Sequence, residues 1–235
     1  KNFISVEDGF IRSVGLGGNL FPAYSLLFDR KGIHYDASRS CHLEELLKKR
    51  IVEKDELIRS KELINLINKS KISKYNLRLK KELDLPNITI KKNIIAVIGQ
   101  VETDNSILYG VPNDTIQKTN YSLVERVKRD FPDSYIVYKP HPDVESGLRA
   151  KGKKESSINK ISDLIAYNTS IEEIFKKVDR VAVFTSLAGF EALIRGLSVT
   201  TYGLPFYAGW GLTEDKLHNH KWAKRRNRKL TLEEL

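Results

Sequence analysis

The sequence predicts an α/β protein whose larger part is a Rossmann-like unit, a parallel sheet wrapped by helices. Two observations carry this. From Asn93 onward short apolar runs alternate with helical patterns, and this regular stretch follows a polar one, around Ser70 to Asn93, that contains Pro86 and little periodicity. A length of 235 residues with 40% hydrophobic content is enough for a substantial core.

Taken in order, Phe3 to Val6 is a short apolar run ending at Glu7-Asp8-Gly9, and Tyr24 to Phe28 and Gly32 to Tyr35 flank Asp29-Arg30-Lys31 in the manner of a hairpin. After Ser40, read as an N-cap, Leu43, Leu46, Leu47 and Ile51 recur at helical spacing, and the pattern resumes from Leu57 to Ile67, giving one long or two shorter basic helices. The stretch from Ser70 to Asn93 reads as a linker. Beyond it come a strand at Ile94 to Ile98, a helix near Tyr121 to Arg129, a strand at Tyr135 to Tyr138 and a helix at Ile171 to Lys177. Val181 to Phe184 is then a strand, Leu187 to Arg195 a helix closed by Gly196, and Leu197 to Tyr202 a strand. This divides the chain into an N-terminal portion of strands and long basic helices over 1–90, a Rossmann-like unit over 91–215 and a basic tail over 216–235.

No apolar run approaches the ~20 residues of a membrane helix, and no signal segment opens the chain, so a soluble, cytoplasmic protein is expected. The absence of methionine, even at position 1, suggests a fragment of a longer product. Cys41 stands alone without metal-ligand spacing and reads as a small buried residue. The formal charge of +10 favours an anionic partner, whether nucleic acid, membrane surface or phosphorylated substrate. The basic residues form no single stripe and come without helix-turn-helix, RNP-like or zinc patterns, which argues against nucleic acid. No Gly-x-Gly-x-x-Gly, Walker-type loop or internal repeat is present, which argues against dinucleotide and ATP enzymes.

Ligands of open α/β sheets gather beyond the carboxyl ends of the strands, so the residues that follow each apolar run carry the functional reading. Thr185-Ser186-Leu187-Ala188-Gly189-Phe190-Glu191 can begin a capped helix whose first N–H groups bind phosphate while Glu191 meets a ribose diol; a capped helix with a surface glutamate is the plainer alternative. In Tyr138-Lys139-Pro140-His141-Pro142-Asp143 two prolines hold the histidine rigid beside a lysine suited to phosphate. Glu7-Asp8-Gly9 pairs carboxylates at a strand end, and Gly99-Gln100-Val101-Glu102-Thr103-Asp104 offers two more; either pair alone reads as solvated turn residues, and their joint occurrence with the phosphate elements is what points to acid/base chemistry. The aromatic, glycine-rich loop Tyr202 to Thr213 can wall a sugar or base site, or plug a junction between domains. The tail His218 to Lys229 carries six Lys/Arg, either a solvated basic helix or a contact for an anionic acceptor or membrane.

These stretches, in this order, together with Glu7 through Gly17, resemble the capsule polysaccharide biosynthesis family, specifically its retaining β-Kdo transferase modules. They span nearly the whole chain. The acidic-acidic-Gly and His-Pro elements are also similar to those of bacterial sialyl- and polysialyltransferases, which use CMP donors on a GT-B fold. The resemblance implies a GT-B-like glycosyltransferase that moves Kdo from CMP-Kdo to a lipid-linked or oligo-Kdo acceptor with retention, needing no metal or other cofactor. Lys139, His141, Thr185, Ser186 and Leu187 would bind the donor phosphate and Glu191 its ribose. Glu7 would be the acid/base and Asp104 the nucleophile, since Thr103 stands where related sequences place another acid; Asp8, Gln100 and Glu102 would support catalysis or the acceptor. A GT-B acceptor domain would begin with further strand-helix units before Glu7, so that side is expected to be incomplete. A bacterial enzyme peripheral to the inner face of the inner membrane fits the resemblance. Its alternatives are a sialyltransferase with the same donor phosphate and a non-catalytic basic docking module.

Overall fold

The computed structural model describes residues 3–77, 81–87 and 93–235. Its centre is a six-stranded sheet in which every neighbouring pair is parallel, in the order β5-β4-β3-β6-β7-β8. The strands are β3 (Ile94–Ile98), β4 (Tyr135–Lys139), β5 (Leu164–Ile165), β6 (Arg180–Val183), β7 (Ser198–Thr201) and β8 (Glu214–Asp215). All five residues of β3 are buried, because a strand covered on both faces needs apolar side chains at every position, not every second one.

Alternation along the strands deals these side chains to two cores. Ile95, Val97, Ile136, Tyr138 and Ala182 face α3 (Asn105–Gly110) and α4 (Asn120–Asp130) through Ile107, Leu123, Val124 and Val127. Ala96, Ile98, Val137, Val181, Val183 and Val199 face α6 (Ile171–Phe175) and α7 (Leu187–Ile194) through Ile174, Ala192 and Leu193. Each fully buried Val, Ile or Leu contributes roughly 1.5–3 kcal/mol, so the layering rests on the apolar runs that mark the strands in the sequence. Helix α7 ends as read, with Gly196 at φ 76°. Four elements go beyond the sequence reading: the two-residue strands β5 and β8, the short α3, and the single turn α5 (Pro142–Glu145).

The N-terminal portion differs from the expected hairpin. Strand β2 (Leu26–Asp29) pairs antiparallel with β1 (Ser5–Asp8), Val6 opposite Phe28, and no strand forms at Gly32 to Tyr35. The reason is Asp29, the buried last residue of β2, whose Oδ1 accepts the Lys31 and Gly32 amides while Oδ2 accepts that of His42. Those bonds turn the chain into α1 (His42–Lys49), capped by Cys41 instead of Ser40, with Sγ accepting the Glu44 amide at 3.4 Å. Cys41 is buried, and two helices, α1 and α2 (Lys54–Ser70), stand where the pattern allowed one or two.

The tail is not a solvated basic helix. Arg226 is buried and donates to Glu44 Oε2 at 3.2 Å and to the Ala208 carbonyl at 2.8 Å, while Arg225 donates to Glu44 Oε1 at 3.0 Å and to the Ala37 carbonyl at 2.7 Å. These guanidiniums fasten the chain end to α1 and to the aromatic loop. Of the expected linker, residues 78–80 and 88–92 lie outside the described residues; 71–77 are not a spacer but run across the mouth of the sheet.

Candidate active site

The strand order reverses direction between β3 and β6: the chain leaves β3 to add strands on one side and later returns to add the rest on the other. A crevice opens at such a switch point, beyond the carboxyl ends of the two strands. At the end of β3, a Cβ on Gly99 would lie 2.4 Å from Tyr138 Oη, so only glycine lets the chain pass there. Gln100 follows, buried, and ties the crevice together. Its Oε1 accepts the Thr185 amide at 2.9 Å, its Nε2 donates to Thr185 Oγ1 at 3.2 Å, and its main chain exchanges two bonds with the Asn120 side chain.

Two adjoining cavities occupy the crevice. The larger, about 410 Å³, is lined by Lys139, His141, Ser186, Leu187 and Glu191 together with Lys74 and Tyr75. His141 caps α5 and its Nδ1 accepts the Asp143 amide at 3.2 Å, which leaves the ring proton on Nε2. Burial, aided by the positive charges of Lys74, Lys139 and Arg149, pushes the imidazole down to about 4, so it is neutral at pH 7. Lys139 is buried and its ammonium is paired with Glu145; burial lowers its pKa and Glu145 opposes that fall. Ser186 caps α7 with Oγ accepting the Ala188 amide at 3.2 Å. Glu191 is buried one helical turn on, where burial holds its carboxyl up at about 7 against the pull of the Lys74 amide and of Arg195.

The smaller cavity, about 260 Å³, shares Lys74, Tyr75, His141, Ser186 and Leu187 with the first. Its remaining wall carries Glu7, Asp8, Gln100, Asp104, Asp143 and Thr185. Glu7 comes from β1 and Asp104 from the start of α3, so two carboxylates far apart in the sequence reach one chamber. Asp104 is exposed and its Oδ1 accepts the Ser106 amide at 2.7 Å, a capping bond that fixes the carboxylate's direction. Asp8 is paired with Arg12. Glu102 lines neither cavity: its two oxygens accept the amides of Asn120, at 2.7 Å, and Lys153, at 2.8 Å. Among the described residues no group of three or more His, Cys, Asp or Glu is arranged to hold a metal ion, and no helix is long and apolar enough to cross a membrane.

A profile of the capsule polysaccharide biosynthesis protein family matches residues 1–234. The chain belongs to this family. Among its relatives, capsule polysaccharide modification protein LipA of Neisseria meningitidis is 40% identical over 232 residues, which cover 99% of this chain and 32% of LipA. Lipopolysaccharide-processing protein LpsZ of Rhizobium meliloti is 37% identical over 232 residues, 98% of this chain and 51% of LpsZ. The chain therefore spans about a third to a half of the length of these relatives. Two solved structures of Thermosulfurimonas dismutans KpsC share the α/β fold with its parallel sheet. The β-Kdo 2,7 transferase aligns with a TM-score of 0.76 at 40% identity, over 98% of this chain and 66% of that one. The β-Kdo 2,4 transferase aligns at 0.81 and 32% identity, over 99% and 70%.

In this member of the capsule family the aromatic loop plugs a junction more than it walls a pocket. Phe206 stacks on Phe10 at 4.5 Å, Tyr207 and Trp210 are fully buried, and Trp210 Nε1 donates to the Phe206 carbonyl at 2.7 Å. Only the Pro205-Phe206-Tyr207 edge touches the smaller cavity. Lys74, Tyr75 and His34 line the crevice but belong to no motif in the sequence, whereas Asp143 closes the Tyr138-to-Asp143 motif. Asp143 alone had a local signal, its place beside His141.

Proposed function

We propose that this chain is the donor-binding module of a capsule glycosyltransferase of GT-B type that transfers Kdo from CMP-Kdo to a glycolipid or oligosaccharide acceptor with retention. The observation that supports it best is the pair of adjoining cavities, one with phosphate-binding chemistry and the other with carboxylates, sharing the wall made by His141 and Ser186. In this reading the CMP phosphate lies against the N-terminal end of α7 and against His141 Nε2–H, a neutral donor that loses no binding strength as pH rises toward 8. Thr185 and Leu187 shape that end of the site, Lys139 adds positive potential, and the Glu191 oxygen not committed to the Lys74 amide takes the ribose. Binding without a divalent metal is part of the proposal.

For the reaction, Asp104 attacks the anomeric carbon while the bond to the phosphate oxygen breaks and its electron pair leaves with CMP. The acceptor hydroxyl oxygen then displaces Asp104, and its proton passes to Glu7. Two inversions give retention, by the two-carboxylate logic of retaining glycoside chemistry. The wall shared by the two cavities lets a donor phosphate on one side and Asp104 on the other flank the same anomeric carbon, as in-line displacement requires. Location at the inner face of the membrane, where lipid-linked acceptors are met, belongs to the same reading.

Titration with CMP, followed by NMR or crystallography, tests the site: the segments at His141 and Ser186 should respond. His141→Ala should weaken CMP binding by about 1.5–3 kcal/mol, the value of a hydrogen bond to a charged group. Donor screening with CMP-Kdo and CMP-sialic acid, with and without EDTA, decides the sugar and the metal. Mass spectrometry of an enzyme with both halves, incubated with CMP-Kdo, should find a sugar adduct on the Asp104 peptide that vanishes in Asp104→Ala. An adduct on Glu7, or an inverted product anomer, overturns the assignment of roles.

A further inference from the structure

Residues 71–77 hold a side chain that no motif announces. The Lys74 amide donates to Glu191 Oε1 at 2.6 Å, and the Lys74 carbonyl accepts the amides of Arg12 and Ser13, both at 3.1 Å. On either side, Arg195 Nη2 donates to the Ile72 carbonyl at 2.8 Å and the Gly15 amide donates to the Tyr75 carbonyl at 2.8 Å. The peptide is thus fastened to α7 on one edge and to the loop after β1 on the other, with the Lys74 side chain directed between them. Backbone held on both sides is what a preorganised binding residue requires.

Lys74 lines both cavities, and in the smaller one it is the sole Lys or Arg among the described lining residues, facing Glu7, Asp8, Asp104 and Asp143. Its ammonium stands 4.9 Å from the Tyr75 ring centroid and makes no ion pair among the described residues. Of the other lysines of the crevice, Lys139 pairs with Glu145 and Lys176 with Glu173, and Lys71 lines only the larger cavity. One acid of the smaller chamber is itself unsatisfied, since Asp143 is buried and its Oδ1 has no hydrogen-bond partner.

In a 2-keto sugar acid the carboxylate and the phosphate oxygen are attached to the same anomeric carbon. A donor whose phosphate lies in the larger cavity and whose anomeric carbon faces Asp104 must therefore place its carboxylate where the two cavities meet. That is the position of Lys74. Without a cation there, a chamber walled by carboxylates would repel an acidic sugar and admit a neutral one. We propose that Lys74 is the specificity residue for the sugar carboxylate of the donor, and that Asp143 Oδ1 accepts a hydroxyl of the same sugar. The inference rests on the CMP-sugar reading above and adds the part of the site that selects acidic sugars.

The test compares binding of CMP alone and of CMP-Kdo to the unsubstituted chain, Lys74→Met, Lys74→Gln and Lys74→Arg by calorimetry, with melting temperatures as a check on folding. Losing a charge-assisted hydrogen bond should weaken CMP-Kdo by about tenfold or more in Lys74→Met and Lys74→Gln, leave CMP within about threefold, and be largely restored in Lys74→Arg. Asp143→Asn should weaken CMP-Kdo and spare CMP in the same way. Equal weakening of CMP and CMP-Kdo would assign Lys74 to the phosphate and overturn the proposal, as would no change in either. If the unsubstituted chain binds neither compound, the donor reading itself falls, an outcome distinct from a chain that binds CMP but ignores Lys74.

Discussion

Gln100 and Thr185 exchange two hydrogen bonds across the switch point of the sheet, Oε1 accepting the Thr185 amide at 2.9 Å and Nε2 donating to Thr185 Oγ1 at 3.2 Å. The pair joins the loop after β3 to the start of α7, so it sets the distance between the Asp104 turn and the Ser186 cap. A side chain that satisfies a buried amide is worth most when it is missing, because nothing replaces it.

Gln100→Ala should therefore cost about 1–3 kcal/mol of stability and loosen the two loops it joins. Urea denaturation measures the first effect. The second should appear as weaker CMP binding although Gln100 lies on the carboxylate side of the crevice; full CMP affinity in a destabilised Gln100→Ala would separate its structural role from the site.

Glu191 makes stability depend on pH. Its folded-state pKa, about 7, lies above the ordinary 4.5, so the native state holds the proton more tightly than the unfolded chain does. The associated stability is fully present below about pH 4.5 and is lost as pH rises through about 7. Comparing the chain with Glu191→Gln at pH 5 and pH 8 should reveal a relative loss in the unsubstituted protein on the order of 2–3 kcal/mol. Identical pH profiles would place the carboxyl in better contact with water than its burial implies.

The sheet was legible because its signal is local. Strand β3 is five buried apolar residues in a row, and Ser186 and Gly196 bracket α7 as a cap and a stop should. The elements that escaped are those whose signal is too short or not local. Strands β5 and β8 have two residues each and exist by pairing to a neighbour. Lys74 sits in a polar stretch without periodicity, and its partner Glu191 is 117 residues away. Arg225 and Arg226 looked like surface charge because the acid that buries them, Glu44, stands inside a helix whose charged residues read as solvent-facing.

That ion pair yields a further expectation. Glu44 and Arg226 are both buried, and Glu44→Ala would leave the Arg226 guanidinium without its carboxylate. Breaking a buried pair on one side costs about 3–5 kcal/mol, whereas Lys221→Ala and Lys224→Ala, on the exposed side of the same tail, should stay within about 0.5 kcal/mol. Denaturation midpoints of the three variants check this. Equal effects would mean that the tail is held by its charge as a whole and not by Glu44.

Gly189 and Tyr207 give a coupled test of how the aromatic loop supports the site. Tyr207 is fully buried and its hydroxyl donates to the Ser186 carbonyl at the start of α7; a Cβ on Gly189 would lie 2.2 Å from that hydroxyl oxygen and 2.8 Å from Cζ. Gly189→Ala must displace the ring or the helix start, at about 1–3 kcal/mol for overpacking. Tyr207→Phe removes the obstructing oxygen and should cost only about 0.5–1.5 kcal/mol, because the Ser186 carbonyl still accepts the Gly189 amide at 3.1 Å. In the double variant the oxygen is gone and part of the clash with it, so the combined loss should be smaller than the sum of the single losses by about 0.5 kcal/mol or more. CMP affinity should follow the same order, since Gly189→Ala displaces the helix start assigned to the phosphate. Additive losses would show that the glycine answers to the helix alone, and that Tyr207 does not set the position of Ser186.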